Sequence, residues 1–430
     1  MTTRKRQSSK NQISINGKLL EEKAGWKKIH IYGEPYERGF AHGVLLFREL
    51  NRLKKGLAFM VYEYFGMDLS EYVKQTNELI LPIIKSEYPE FYTELEGISA
   101  GAKRKGTMLS TEYLVAWNSV LSIFNKKYAN ENTRCSAFIA TGTATKTRDI
   151  VMAHNTHADF FTGQLLNIIL KVTPSQGQEF TMQTSAGYIA SSADWFICAN
   201  GIIGCETTIA QFKKEPNFKT GAPYFCRIRQ AMQYANTLDD YIKTMTEHNA
   251  GDYACSWLFG DTRTGEIVQL ELGLDVYSVN RTQDGVYYGA NSAFDLKLRQ
   301  TETNDKDHDN PNASVGARTI RLNHLLNEEY YGKIDIDIAK RIMSDHHSNM
   351  GSLNICKHCE IDETCHYKPK GCTDAKVTDT SLAKTMSFYG RFGSGCGRVF
   401  DVAKYMKAHP EHKKWAAVLK DIKKHGWVKL

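Results

Sequence analysis

Apolar positions in the first third of the chain recur at helical spacing. Leu45, Leu46, Leu50, Leu53 and Leu57 form one stripe, a second helical stretch covers residues 70–85 and stops near Pro89, and a third passes through Phe91, Leu95 and Ile98. Residues 35–128 therefore read as mainly helical. The period changes at Cys135. From there to about Leu274, short β-rich runs alternate with turn signals, at residues 137–140, 150–153, 165–172, 187–189, 195–198, 202–209, 257–261 and 267–272. A helical pattern over residues 225–247 interrupts them. Residues 301–314 (TETNDKDHDNPNAS) read as a polar loop, and Ile320, Leu322, Leu325 and Leu326 as the helix that follows. Helices first, then strands with interspersed helices, predicts an α+β chain with helices packed outside sheets.

Charge changes this picture little. The 430 residues carry 55 Lys+Arg against 48 Asp+Glu, a net +7. Residues 1–28 and 404–430 each contribute +6, which leaves −5 for residues 29–403. A nucleic-acid reader needs its basic stripe on the folded body, and this body is mildly acidic, so no nucleic-acid partner is expected. At 42% hydrophobic the composition is that of a globular protein, and no run approaches the ~18 apolar residues of a membrane span. The first 20 residues have basic groups but no apolar core, which argues against a cleavable secretory signal and makes the cytoplasm the expected location. Ten cysteines in such a context read as thiols, metal ligands or a nucleophile before a disulfide framework.

Three motifs carry candidate chemistry. Gly97-Ile98-Ser99-Ala100-Gly101 fits the G-x-S-x-G nucleophile pattern, but that pattern works where a strand ends in a sharp turn. Here residues 88–96 are helical in pattern, so Ser99 reads as part of a helix with small packing residues. Cys356, Cys359, Cys365 and Cys372 form a weak candidate zinc cluster, since their spacing lacks the repeated tight hairpin of structural sites. The nearby Asp345-His346-His347 reads as surface polar groups. Cys135 opens an apolar strand after Asn132-Thr133-Arg134. A buried structural thiol would explain it alone. Downstream, however, Ala153-His154-Asn155-Thr156 ends a second strand in polar groups, Gly289-Ala290-Asn291-Ser292 ends a β-hairpin with an amide, and Arg318 opens a helix. A thiol, an amide donor and a guanidinium are parts that cleavage through an oxyanion needs.

The chain resembles the N-terminal-nucleophile hydrolases of the isopenicillin N acyltransferase and phospholipase B-like type. Gly25-Trp26-Lys27-Lys28-Ile29-His30 with Pro35-Tyr36-Glu37-Arg38-Gly39-Phe40-Ala41-His42-Gly43 is similar to that family's opening segment. Glu94-Leu95-Glu96-Gly97-Ile98-Ser99-Ala100-Gly101 is similar to its helical GIA-x-G stretch. Cys135-Ser136-Ala137, Ala153-His154-Asn155-Thr156 and Glu206-Thr207-Thr208-Ile209 resemble phospholipase B-like motifs in order. Gly289-Ala290-Asn291-Ser292 and Ala317-Arg318-Thr319-Ile320-Arg321 resemble the asparagine and arginine segments of the bile-acid-hydrolase branch.

The resemblance implies a four-layer αββα fold and a precursor that cuts itself at Arg134-Cys135, giving associated chains of 134 and 296 residues. On that reading residues 1–24 are a basic flexible tail, 25–134 a mainly helical small chain or propeptide, and 135–430 the catalytic segment, with the polar loop 301–314 and a cysteine-rich insert at 356–372. The implied roles follow. Cys135 is the nucleophile and its freed amine the base, Asn291 an oxyanion donor, and Arg318 a group that lowers the thiol pKa. His154 and Asn155 position Cys135, and Glu206, Thr207 and Asp159 bind substrate. No cofactor is implied. The expected activity is hydrolysis or transfer of the acyl group of a linear amide, such as an N-acyl amino acid, peptide or lipid amide. The alternatives are a phospholipase B-like lipid ester hydrolase and, in another class, a non-catalytic protein with structural zinc in the insert.

Overall fold

The computed structural model describes residues 15–123, 135–347, 354–356 and 369–430. Its first strands, β1 (Gly17–Lys23) and β2 (Trp26–Gly33), are joined by Ala24-Gly25, with φ of 48° and 86°, so that Lys23 pairs directly with Trp26. Positive φ at both central residues is what a two-residue type I′ hairpin requires. The expected flexible tail over residues 1–24 is corrected by this: residues 17–23 are a strand at the sheet edge. Their side chains are mostly exposed, so no alternation marked them in the sequence.

The first sheet runs from this hairpin through β5 (Ile168–Pro174), β6 (Phe180–Thr184), β7 (Trp195–Cys198), β8 (Ile202–Thr208), β9 (Cys255–Asp261), β10 (Glu266–Leu272) and β11 (Tyr277–Thr282), in the order β1-β2-β5-β6-β7-β8-β9-β10-β11. Only β2 and β5 pair in parallel there. The second sheet has the order β12-β3-β4-β13-β14-β15, built from β3 (Cys135–Thr141), β4 (Val151–Asp159), β12 (Gly285–Gly289), β13 (Lys370–Asp379), β14 (Tyr389–Phe392) and β15 (Val428–Lys429). β11 and β12, which read as one hairpin, belong to different sheets; the chain changes sheet at Gln283-Asp284.

The two sheets face each other, with β3 against β8, β9 and β10. At Gly260 of β9 a Cβ would lie 2.9 Å from Ile139 Cδ1 and 3.1 Å from Ile150 Cδ1, so the close approach depends on the missing side chain. Helices Tyr224–Tyr234 and Leu238–Thr246 cover the outside of the first sheet, and Ser314–His324 and Ile336–Ile342 the outside of the second. The fold is α+β with helix, sheet, sheet and helix in layers. Ala137, Ile139 and Met152 join the core between the sheets, whereas Phe138, Ala140, Val151 and Ala153 pack with Leu322, Leu325, Ile342 and Met343 beneath the outer helices. Both faces of β3 and β4 are buried, which is why they read as unbroken apolar runs.

The helices Pro35–Leu45 and Pro89–Arg104 cross at their glycines. A Cβ on Gly39 would sit 2.1 Å from Glu94 O, on Gly43 2.2 Å from Ile98 O, on Gly97 2.3 Å from Tyr36 O and on Gly101 2.1 Å from Phe40 O. The G-x-S-x-G pattern is therefore a helix-crossing device, and the Ser99 hydroxyl donates to Leu109 O at 2.5 Å. Beside the crossing, fully buried Glu94 accepts from Arg38 at 2.7 Å and Arg229 at 2.9 Å. The two guanidiniums hold its carboxyl below the usual range against the opposing effect of burial, which is the largest single influence.

Three further expectations are corrected. Residues 187–189 form a turn rather than a strand, with Gly187 at φ +79° and its N–H donated to His42 Nε2 at 2.8 Å. The helix expected over 225–247 breaks at Ala235, because Thr237 and Asp240 form a capping box that starts a new helix. The loop expected over 301–314 starts at Thr303. Glu302 ends the helix Leu296–Glu302, and its buried carboxylate accepts from the N–H groups of Leu274, Asp275 and Val276 at 2.6, 2.8 and 2.8 Å.

Candidate active site

Cys135 is the first residue of β3, directly opposite Thr156 of β4, which lies beside Asp374 of β13. Strand alternation turns Cys135, Thr156, Asp374 and Lys376 toward the first sheet. The thiol, 4% exposed, opens onto a partly open pocket of about 760 Å³, a volume that includes open solvent. Met60, Trp117, Val120, Leu121 and Leu166 give the pocket an apolar side. Tyr64, Thr156, Asp159, Ser192, Asp194, Thr208, Tyr253 and Lys370 give it a polar one.

The backbone of Cys135 is held at both ends. Its N–H donates to Asn291 Oδ1 at 3.0 Å, and its carbonyl accepts from Arg318 Nη1 at 2.5 Å. Arg318 also donates to Ser136 Oγ at 3.1 Å and to Asn291 Oδ1 at 2.9 Å, and Asn291 Nδ2 donates to Thr208 O at 2.8 Å. All three residues are buried, and Asn291 stands at φ 77°, a left-handed conformation that asparagine tolerates better than most side chains. The guanidinium fork thus ties strand, amide and helix into one unit, as a planar multi-donor group can and an ammonium cannot.

Burial pushes the Cys135 thiol above its ordinary pKa, and the Glu206 and Asp194 carboxylates push the same way. The His157 backbone N–H and the Lys376 ammonium oppose them by favouring the thiolate. Lys376 is itself fully buried: it pairs with Asp374 at 2.7 Å and donates to Thr156 Oγ1 at 2.7 Å and Ala193 O at 3.3 Å. On the first sheet, the Tyr253 hydroxyl lies 2.8 Å from Glu206 Oε1, 3.2 Å from Asp194 Oδ2 and 2.9 Å from Thr208 Oγ1, placing two acidic groups around one phenol beside the thiol.

The structure brings Cys135, Asn291 and Arg318 together. Asn291 aims its carbonyl oxygen at residue 135 and commits its amide to Thr208, the reverse of the expected oxyanion donor. Asp159 lines the pocket, accepting from Tyr64 OH at 2.6 Å and from Thr162 N–H at 2.8 Å. Glu206 reaches the pocket through Tyr253. Thr207 faces Gly289, where a Cβ would meet its Oγ1 at 2.2 Å, so it packs between the sheets. His154 is on the thiol's side of β4 but opposite Ala137, and burial together with Lys376 drives its pKa well below the usual value. Asn155 lies on the other face and donates to Met343 O at 2.9 Å and Ile355 O at 3.1 Å, so it does not touch Cys135. Arg134, Cys359 and Cys365 lie outside the described residues. Cys356 and Cys372 are buried on the second sheet's side, away from the pocket lining.

Thr156, Asp194 and Tyr253 are pocket groups that the sequence reading missed, and so is Lys376, which lies behind Thr156. Asp374, Lys376 and Thr378 do alternate along β13, but such a polar face is ordinarily solvated, and here it is buried between sheets. Asp194 stands at φ 53°, which no sequence pattern announced.

Residues 94–273 match the family model for Phospholipase B, in keeping with the phospholipase B-like motifs of the sequence; the match contains Cys135 and Glu206 but neither Asn291 nor Arg318. An uncharacterized protein of Archaeoglobus fulgidus is 24% identical over 294 residues, 61% of this chain and 45% of the relative, so the match spans less than half the relative's length. Among solved structures, a mutant conjugated bile acid hydrolase from Clostridium perfringens overlaps 60% of this chain and 89% of its own at 10% identity and a TM-score of 0.36. Penicillin V acylase from Agrobacterium tumefaciens overlaps 60% and 82% at the same identity and score. Overlap that loose does not specify chemistry. No helix among the described residues is long and apolar enough to cross a membrane.

Proposed function

We propose that this phospholipase B-like chain is a self-processing cysteine hydrolase or acyltransferase, cleaving or transferring an acyl group through a thioester on Cys135. One observation carries the reading: a thiol at the first position of a central strand, at a pocket wall, with its own N–H and carbonyl fixed by Asn291 and Arg318. In the uncut chain, Sγ attacks the carbonyl carbon of residue 134. The S–C bond forms, the C–N bond to Cys135 breaks, and the departing nitrogen takes a proton. Water then cleaves the thioester, releasing a carboxylate on residue 134 and restoring the thiol. The freed α-amine, ordinarily of pKa ~7.7–8.0, keeps Asn291 Oδ1 as its acceptor and serves as base for the adjacent thiol in later turnovers.

Two features support association of the fragments after a cut. β2, from the first fragment, pairs with β5, from the second, and Arg229 reaches across to Glu94. The apolar wall of Met60, Trp117, Val120, Leu121 and Leu166 suits an acyl chain, and the polar side suits an amide or its leaving group. A lipid acyl ester would use the same atoms; the Phospholipase B family match favours keeping that second reading.

Intact mass and N-terminal sequencing of wild type and Cys135→Ala test the proposal. A wild-type fragment beginning at Cys135, absent from the variant, is expected. Uncut wild type after prolonged incubation overturns self-processing. An acyl panel assayed on processed protein separates the two substrate readings, since activity confined to glycerophospholipids removes the amide preference.

A further inference from the structure

Behind the second sheet, on the side away from the pocket, two chain segments converge. The segment after helix Ile336–Ile342 brings His346 and Cys356, and the loop after β14 brings Cys396. The ligand-capable atoms of these three residues all lie within 4.8 Å of one another. The Cys356 thiol is also within hydrogen-bonding reach of Cys372, at the bulge of β13, and Cys396 donates its backbone N–H to Cys356 Sγ at 3.3 Å. Cys356 and Cys372 are buried, Cys396 is half-buried and His346 is exposed. Among the described residues, the remaining buried thiols, Cys135, Cys198, Cys205, Cys226 and Cys255, sit on other strands and helices; Cys198, for example, lies within hydrogen-bonding distance of Tyr241 OH and Met232 O.

We propose that His346, Cys356, Cys372 and Cys396 form a tetrahedral site for a thiophilic divalent cation of the zinc class. Zn–S bonds of about 2.3 Å at tetrahedral angles put sulfurs about 3.8 Å apart; His346, Cys356 and Cys396 already cluster within 4.8 Å, and Cys372, within hydrogen-bonding reach of Cys356, is the fourth ligand that closing on a cation would draw in. Three thiolates, one imidazole and a dication carry a net −1. Arg391 stands beside Cys396 and Cys356, its buried Nε without a hydrogen-bond partner among the described residues, and supplies the compensating charge. A disulfide would join only two of the three thiols. The ligand set differs from the one the sequence spacing suggested, because Cys396 and His346 come from segments that only the fold brings near. The site fastens the loop whose Ile355 carbonyl is bound by Asn155, on the strand adjoining the nucleophile's. Its role is thus to brace β4 from behind.

Metal analysis of full-length protein purified under reducing, chelator-free conditions tests this, followed by Co²⁺ replacement and absorption spectroscopy. About one equivalent of metal is expected, with the thiolate charge-transfer and tetrahedral d–d bands of a sulfur-rich cobalt site. Cys396→Ser should abolish binding. Because that variant could fail to fold, His346→Ala, an exposed position, provides the second readout: it should fold and bind Zn²⁺ at least about tenfold more weakly. Cys135→Ala should keep full metal content, which separates this site from the hydrolase reading. Two results overturn the proposal. One is no metal retained or taken up from added Zn²⁺ or Co²⁺ by folded wild type. The other is a native mass two hydrogens low, with a disulfide mapped between two of these cysteines.

Discussion

Lys376 offers the sharpest separation of structural from chemical effects, because its ammonium both balances Asp374 and favours the Cys135 thiolate. Lys376→Met leaves a fully buried carboxylate without its cation. Breaking a buried pair in this way typically costs about 3–5 kcal/mol. With an unfolding entropy of about 2.1 cal/mol/K per residue, 430 residues give about 0.9 kcal/mol/K, so Tm should fall by roughly 3–6 °C. Removing both charges, in Lys376→Met/Asp374→Asn, should recover most of that loss. The thiol should respond differently. Lys376 Nζ is 2.7 Å from Thr156 Oγ1, and Thr156 is the direct cross-strand neighbour of Cys135, which puts the ammonium roughly 7 Å from the sulfur given ordinary cross-strand spacing. At an effective dielectric of about 20, that is about 2 kcal/mol, or 1–2 pKa units. Alkylation of Cys135 at fixed pH, followed by peptide mass, should therefore drop about 10- to 50-fold in the single variant, in which Asp374 keeps its charge. The double variant, neutral at both positions, should fall between it and wild type. Equal stability of wild type and single variant, or a double variant as poorly reactive as the single, would refute this account of the pair.

Ser99→Ala should leave any acyl-transfer activity within about twofold of wild type, since Ser99 only donates to Leu109 O. Gly101→Ala at the 2.1 Å crossing should destabilise by about 1–3 kcal/mol through overpacking, read as a lower Tm. Burial lowers the His42 pKa to about 4, so the folded chain resists protonation that the unfolded chain accepts at about 6.5. Stability is complete above about pH 6.5 and should fall by about 3 kcal/mol as pH drops toward 4, with His154 adding to the decline. His42→Gln should flatten part of that slope in urea titrations across pH. For Cys135 the shift is upward, so its alkylation rate should rise about tenfold per pH unit from 7 to 9. A plateau below pH 8 would contradict a thiol raised by burial.

How much of this molecule was legible in its residues depends on which interactions are local. Helical and strand periods in residues 35–118 and 135–272 reflect burial of one or both faces, and that is written into the side chains themselves. Ala24-Gly25 left no comparable mark, because β1 faces solvent and has no apolar alternation, and only the left-handed geometry of the turn specifies the hairpin. Cys135 and Asn291 were legible as candidates because each sits at or just beyond a strand end with a side chain that position does not need; Arg318, expected to open a helix, lies within Ser314–His324 and was legible through the arginine segment it resembles. Their roles were less legible. Which end of the Asn291 amide faces Cys135 is decided by Thr208 O, on a strand of the other sheet. Lys376 shows the limit most clearly. Its strand reads Asp-Ala-Lys-Val-Thr-Asp, an alternation that ordinarily turns its polar side to water, and nothing local says that a second sheet covers that side. The same residues become a buried ion pair once β6 and the segment leading into β7 lie opposite, where Gln183 donates to Asp374 and Ala193 O accepts from Lys376. A polar face enclosed between two sheets is stable only if each charge finds a partner there, so the pairing of Lys376 with Asp374 and Thr156 is both the condition for closing the sandwich and the means by which the closed sandwich tunes its thiol.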